Sequence, residues 1–321
     1  MSNTIPLVKR YEPKTLDEIV GQVPIVTTLK RWVIAFKAGT FTWPNLMFVG
    51  PPGTGKTTTA KAFARELFGD DWSLGFRDFN ASADIDIAYV RNEIANIAKS
   101  RPFGGLNIIF MDECEHVSQP AQFALRRIME DYSQITRFII SVNYPSKIIA
   151  PIRSRCGELY FGVLSDEDMY SLLRKVMTGE SLHITQGGAA ALVKAAHGRP
   201  RDMLNKLNLV VGLGAATISE NEVGMVVQAV PEDICKKMWG SLLSGRPVEA
   251  DLELTKSISK GTSVELLVEG LFEVVIAENK NQDVLYPLFA EYTYRMTMGA
   301  NSTVQARALI WELNHLLKGG K

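Results

Sequence analysis

Residues 50–57 read Gly50-Pro-Pro-Gly-Thr-Gly-Lys-Thr57, and this run limits the possible folds more than any other part of the chain. Its glycines let successive backbone N–H groups turn inward round a phosphate, which a chain of bulkier residues cannot do. Lys56 brings a positive charge to that cradle and Thr57 a hydroxyl suited to a hard cation. Such a loop works only between a strand and a helix, because the helix N-terminus adds the positive end of its dipole. Both flanks are present: Leu46 to Val49 is a short apolar run, and a helical pattern extends from Lys56 to about Phe68. An α/β layer with a phosphate site at the strand end follows.

The surrounding pattern extends that layer. A helix is expected from Val23 to Phe36, strands at Phe76 to Phe79, Asn107 to Met111 and Arg137 to Val142, and helices from Asp86 to Lys99 and Gln119 to Tyr132. Strands alternating with helices imply a parallel sheet with right-handed crossovers. After about Gly162 the strand signal stops. Helices are expected at Asp166 to Met177, Thr185 to Ala196, Pro200 to Leu213 and Ser219 to Val230, with Thr185 and Ser219 as N-caps and Glu222 completing a capping box. The expected division is an α/β nucleotide-binding domain at 1–162, a small helical domain at 163–230 and a second helical domain at 231–321.

Lysine plus arginine balance aspartate plus glutamate at 35 each, so any nucleic-acid contact must come from a local patch or from several copies acting together. The three cysteines, Cys114, Cys156 and Cys235, are too far apart for a Cys-x-x-Cys site and odd in number, which argues against a disulfide framework. No apolar run approaches a membrane span, and no export signal opens the chain. A cytoplasmic, non-secreted protein is expected.

Ile108-Ile-Phe-Met-Asp112-Glu113 ends an apolar strand in two carboxylates. The first suits Mg²⁺ and the second suits polarisation of an attacking water. Glu115 and His116 are expected on an exposed turn. Asn143 follows the next strand, where an amide can reach a γ-phosphate or the lytic water, although asparagine also favours turns for its own reasons. Arg153 and Arg155 flank Ser154, and Arg201 opens a later helix; guanidinium forks at such places suit phosphate, although solvation alone also explains them.

Together these residues resemble the ATPase subunits of replication clamp loaders, AAA+ proteins, particularly the small subunits of replication factor C and their counterparts in T4-like phages. The resemblance is carried by Arg10-Tyr-Glu-Pro-Lys-Thr-Leu-Asp-Glu-Ile-Val-Gly-Gln22, Gly50 to Thr57, Phe79-Asn-Ala-Ser82, Asp112-Glu113, Gln122-Phe-Ala-Leu-Arg-Arg-Ile-Met-Glu130, Phe138 to Asn143 and Ser154-Arg-Cys156. It implies an AAA+ domain, a helical lid and an all-helical collar. It places Tyr11, Pro13 and Val20 by the adenine and Gly50, Pro51, Pro52, Gly53, Thr54, Gly55, Lys56, Thr57 and Thr58 round the phosphates. Thr57 and Asp112 would hold Mg²⁺, Asp112 and Glu113 form the Walker B pair, and Asn143 is sensor 1. Arg155 is the arginine finger acting on an adjacent subunit, and Arg201 is sensor 2. The chain departs from the family at Glu12, where arginine is usual, at Ala83-Asp-Ile-Asp86, where a basic residue often stands, and at Gly198-Arg-Pro-Arg201, where Gly-Asp-Met-Arg is usual.

The implied activity is ATP hydrolysis stimulated by DNA and clamp. ATP binding would assemble a subunit spiral that opens a sliding clamp and grips primer–template DNA; hydrolysis would release the closed clamp. The implied partners are the clamp, the DNA and companion subunits in a pentamer of like or unlike chains, with no membrane. Ser82, Arg91 and Lys99 are the DNA-contact candidates. The competing expectation is another AAA+ motor, such as a DNA-junction translocase or a protein remodeller; a remodeller's aromatic-glycine pore loop has no counterpart in Ala81 to Ile87.

Overall fold

In the computed structural model, residues 5–81, 86–227, 232–259, 261–278 and 282–319 are described. The chain divides into two compact units, Met1–Val223 and Gly224–Lys321.

The first unit is built on a five-stranded sheet of order β2-β3-β4-β1-β5, comprising β1 (Asn45–Val49), β2 (Phe76–Asn80), β3 (Asn107–Asp112), β4 (Thr136–Val142) and β5 (Cys156–Tyr160). All pairings are parallel. The central strands are almost wholly buried, which is why they read as unbroken apolar runs rather than alternating ones. Their side chains still alternate between two cores. Met47, Ile109, Met111, Phe138 and Ile140 meet Leu125, Ile128 and Ile94 on one face. Leu46, Phe48, Ile108, Phe110 and Ile139 meet Leu29, Val33 and Phe63 on the other. The helices Val23–Lys37 and Lys56–Phe68 therefore cover one face and Gln119–Asp131 the other.

Beyond Phe161 the first unit is helical, with Asp166–Glu180, Gln186–Ala196 and Pro200–Val211, and the helix Glu220–Val226 runs through the division between the units. Thr185 Oγ1 accepts from the Gly188 N–H and Glu222 reaches back to the Ser219 N–H, as the capping pattern predicts. Of the expected helix to Val230, residues 228–230 lie outside the described residues. The N-terminal segment is tied to these helices: Arg10 Nη1 donates to Glu180 Oε2 at 2.6 Å, and the Leu7 N–H to Asn208 Oδ1 at 3.3 Å.

Two features differ from the sequence expectation. β5 has no counterpart in it, because Cys-Gly-Glu-Leu-Tyr has no apolar run; it is a half-exposed strand paired to β1, where backbone hydrogen bonds matter more than side-chain burial. The expected helix from Asp86 to Lys99 spans 87–98 and contains a π-turn at Val90–Ile94, in which the Ala95 N–H reaches the Val90 carbonyl. In the second unit the described residues form the helices Glu232–Leu243, Pro247–Ser259, Val264–Glu278, Gln282–Thr297 and Ser302–Gly319. They pack round Trp239, Leu267, Leu271, Phe289 and Leu309. No helix among the described residues is long and apolar enough to cross a membrane.

Candidate nucleotide site

The phosphate loop follows β1, and its positive-φ glycines turn the backbone into the next helix: Gly53 has φ 80° and Gly55, the residue before Lys56, has φ 99°. Gly50 is required for a different reason. A Cβ there would lie 2.2 Å from the Phe161 carbonyl, where the chain leaving β5 crosses the loop.

Lys56 is 7% exposed. Its Nζ donates to Gly50 O at 2.6 Å, Pro51 O at 2.9 Å and Asn143 Oδ1 at 3.0 Å. Burial lowers its pKa from the ordinary lysine value, while the negative charges of Asp112 and Glu115 oppose the shift. The ammonium is thus held by dipoles, ready for stronger anionic acceptors. Thr57 Oγ1 donates to Asp112 Oδ2 at 2.5 Å, joining the hydroxyl at the helix start to the carboxylate at the end of β3. This hydroxyl and carboxylate are hard oxygen donors suited to Mg²⁺. Among the described residues no three His, Cys, Asp or Glu side chains cluster as a metal cage, so a Mg²⁺ here would take its remaining ligands from phosphate and water. Glu113 adopts φ 54°, a left-handed conformation unusual for a non-glycine residue and of the kind found at reactive sites.

A cleft of about 520 Å³ gathers the sequence candidates. Tyr11, Pro13, Val20, Pro52, Gly53, Thr54, Gly55, Lys56, Thr57, Thr58, Asp112, Glu113, Asn143 and Arg201 all line it. Gly50 and Pro51 contribute the carbonyls that hold Lys56. Glu12 lines the cleft as well. Val8, Ile19, Leu164, Leu172 and Leu204 supply an apolar wall not identified from sequence, since apolar residues at helical spacing look like ordinary core. Tyr11 Oη donates to Glu180 Oε1 at 2.9 Å; burial first, and then this bond, raise its pKa.

Other candidates lie elsewhere. Arg155 is not among the residues lining the cleft; it pairs with Glu130 at 2.5 Å and donates to Pro151 O at 2.7 Å. Arg153 pairs with Glu158. Arg91 and Lys99 are exposed on and just after the helix at 87–98. Ser82 and the loop to Ile85 lie outside the described residues.

Glu115 corrects an expectation. Placed by sequence on an exposed turn, it is 7% exposed, because the left-handed Glu113 bends the short Cys114–His116 turn inward beneath the end of β4. His116 is exposed as expected. One oxygen of Glu115 accepts from both the backbone N–H and the side-chain Nδ2 of Asn143, at 2.9 and 2.7 Å.

Known proteins bear on this arrangement at two levels. Residues 46–162 match the family model "ATPase family associated with various cellular activities (AAA)", and residues 230–312 match "Replication factor C C-terminal domain". The replication factor C small subunit of Methanococcus vannielii is 36% identical over 321 residues, covering 97% of this chain and 99% of the relative. That of Archaeoglobus fulgidus is 36% identical, covering 99% and 100%, and that of Haloarcula marismortui 38%, covering 95% and 94%. The chain belongs to the replication factor C small-subunit family. Within that family it is an AAA ATPase, and the expected resemblance to clamp-loader subunits holds along nearly the full length. Residues 230–312, in the region where an all-helical collar is expected, carry the replication factor C C-terminal domain. Among solved structures, the Thermotoga maritima RuvB Holliday junction branch migration motor aligns with a TM-score of 0.59 and 20% identity, over 71% of this chain and 79% of RuvB. At that identity the likeness is one of fold.

Proposed function

We propose that this replication factor C small-subunit relative hydrolyses ATP as one member of a ring or spiral of subunits that opens a sliding clamp and closes it on primer–template DNA. The observation that carries this reading is the split of its catalytic groups. Lys56, Thr57, Asp112, Glu113, Asn143 and Arg201 converge on one cleft, while Arg155 faces solvent elsewhere on the same chain. A neighbour's Arg155 would complete the site.

In that reading the apolar wall and Tyr11, Pro13 and Val20 bind the base. The loop N–H groups and Lys56 hold the phosphates, Lys56 exchanging its carbonyl and amide partners for phosphate oxygens. Mg²⁺ held by Thr57 and Asp112 would neutralise charge building on the β- and γ-phosphates. Glu113 accepts a proton from the attacking water as its oxygen bonds to the γ-phosphorus and the bond to the β-phosphate oxygen breaks, giving ADP and phosphate. Asn143 orients the water or γ-phosphate, and Arg201 reaches the nucleotide from the lid side. The neighbour's Arg155 stabilises charge on the transferred group.

The domain division proposed is a nucleotide-binding domain at 1–162, a lid at 163–230 and a collar at 231–321 that assembles subunits. DNA would be held along its phosphates by Arg91, Lys99 and the segment at Ser82, which gives binding without sequence preference. The π-turn favours this pairing: it absorbs one extra residue, so the eight steps from Arg91 to Lys99 act like seven, about two whole turns. A loading assay on primed circular DNA tests the reading. ATP-dependent retention of clamp on the circle is expected, and lost when the circle is cut; retention independent of ATP would overturn it.

A further inference from the structure

We propose that Glu115 is a positioning residue for ATP hydrolysis, fixing the amide of Asn143 in one of its two orientations. An asparagine amide can turn end for end at little intrinsic cost, which would exchange a donor for an acceptor at the cleft. Before nucleotide draws Lys56 away the choice is made twice over, and afterwards Glu115 alone makes it. Glu115 Oε1 accepts from Asn143 Nδ2 at 2.7 Å, and Lys56 Nζ donates to Asn143 Oδ1 at 3.0 Å. The reversed amide would set its carbonyl oxygen against a carboxylate and its NH₂ against an ammonium. The same Glu115 oxygen also accepts from the Asn143 backbone N–H at 2.9 Å, so it fixes the residue's main chain as well as its side chain.

Asn143 lines the cleft and Glu115 does not. Nδ2 carries two hydrogens, and Glu115 engages one while the other serves the cleft. Glu115 touches no substrate; its effect reaches the reacting atoms through Asn143. The burial of Glu115 carries a cost, since its Oε2 is buried without a hydrogen-bond partner among the described residues. A residue needed only to close a turn would not require a carboxylate there. This inference rests on the role of Asn143 proposed above.

A double-mutant cycle on the protein assembled with its companion subunits tests it. Glu115→Ala should lower kcat for ATP by about tenfold or more, leave the affinity for a fluorescent ATP analogue near the parent value, and have little further effect in an Asn143→Ala background. Glu115→Gln keeps the accepting oxygen and should retain most turnover. Glu115→Asp keeps the charge but withdraws it by one methylene, and should lose turnover; this pair carries the test if Glu115→Ala does not fold. Equal losses from Glu115→Ala with and without Asn143 would overturn the positioning role alone, as would loss in Glu115→Gln with retention in Glu115→Asp. Full turnover in Asn143→Ala would overturn the role of Asn143 and this inference with it.

Discussion

At the scale of single residues, the site is organised by what each buried polar group is paired with. Lys56 is desolvated and held by two loop carbonyls and the Asn143 amide, weaker partners than phosphate. Lys56→Ala should weaken ATP binding by about a hundredfold, roughly 3 kcal/mol, read by calorimetric titration. The cysteines make a contrasting case. Cys114 is fully buried, and desolvation pushes both its thiol and that of Cys156 up to about 12, so neither is thiolate at pH 8. Ellman's reagent at pH 8 should label neither in the folded protein, and unfolding should release all three thiols of the chain, that of the buried Cys235 included. The phosphate loop, the carboxylate pair and Asn143 were legible in sequence because their chemistry needs fixed residue types in fixed order. Glu115 was not, because its burial depends on the left-handed turn at Glu113, and no local residue pattern marks a non-glycine residue for that conformation.

At the scale of elements, the N-terminal segment, which lines the cleft, is fastened to the helix Asp166–Glu180. Tyr11 Oη bonds to Glu180, and a Cβ at Gly179 would lie 2.2 Å from that hydroxyl. Tyr11→Phe should cost about 1 kcal/mol in urea unfolding through loss of the hydrogen bond. Gly179→Ala within a helix would ordinarily stabilise by up to about 1 kcal/mol. Here it should destabilise, and less so when Tyr11 is already phenylalanine. The pH dependence follows from the raised pKa of Tyr11. The neutral phenol is the form that fits, so its contribution is complete below the ordinary value of 10.0 and is lost as pH rises through the raised folded value. Tyr11→Phe should remove that alkaline component from a stability-against-pH profile. The central strands and most helices were legible because burial imposes a pattern on sequence. β5 lay beyond reach because an edge strand is held by pairing to β1, and the π-turn because an extra residue in one helical turn leaves the apolar spacing almost unchanged.

At the scale of the whole molecule, DNA binding by a formally neutral chain, as proposed, would need a local patch or several copies acting together. Replacing Arg91 and Lys99 by alanine should weaken binding alike on unrelated sequences. It should also reduce the slope of log affinity against log salt by about 1 for each phosphate that no longer meets a cation. ATP affinity should be unchanged, since neither residue lines the cleft. In the proposed mechanism one triphosphate is hydrolysed by groups from two subunits. Steady-state ATP turnover of the assembled Arg155→Ala protein, with clamp and primed DNA present, tests it most directly. Turnover should fall by about a thousandfold or more while ATP still binds with parent affinity. Arg155→Ala subunits that hydrolyse ATP at the parent rate would contradict it.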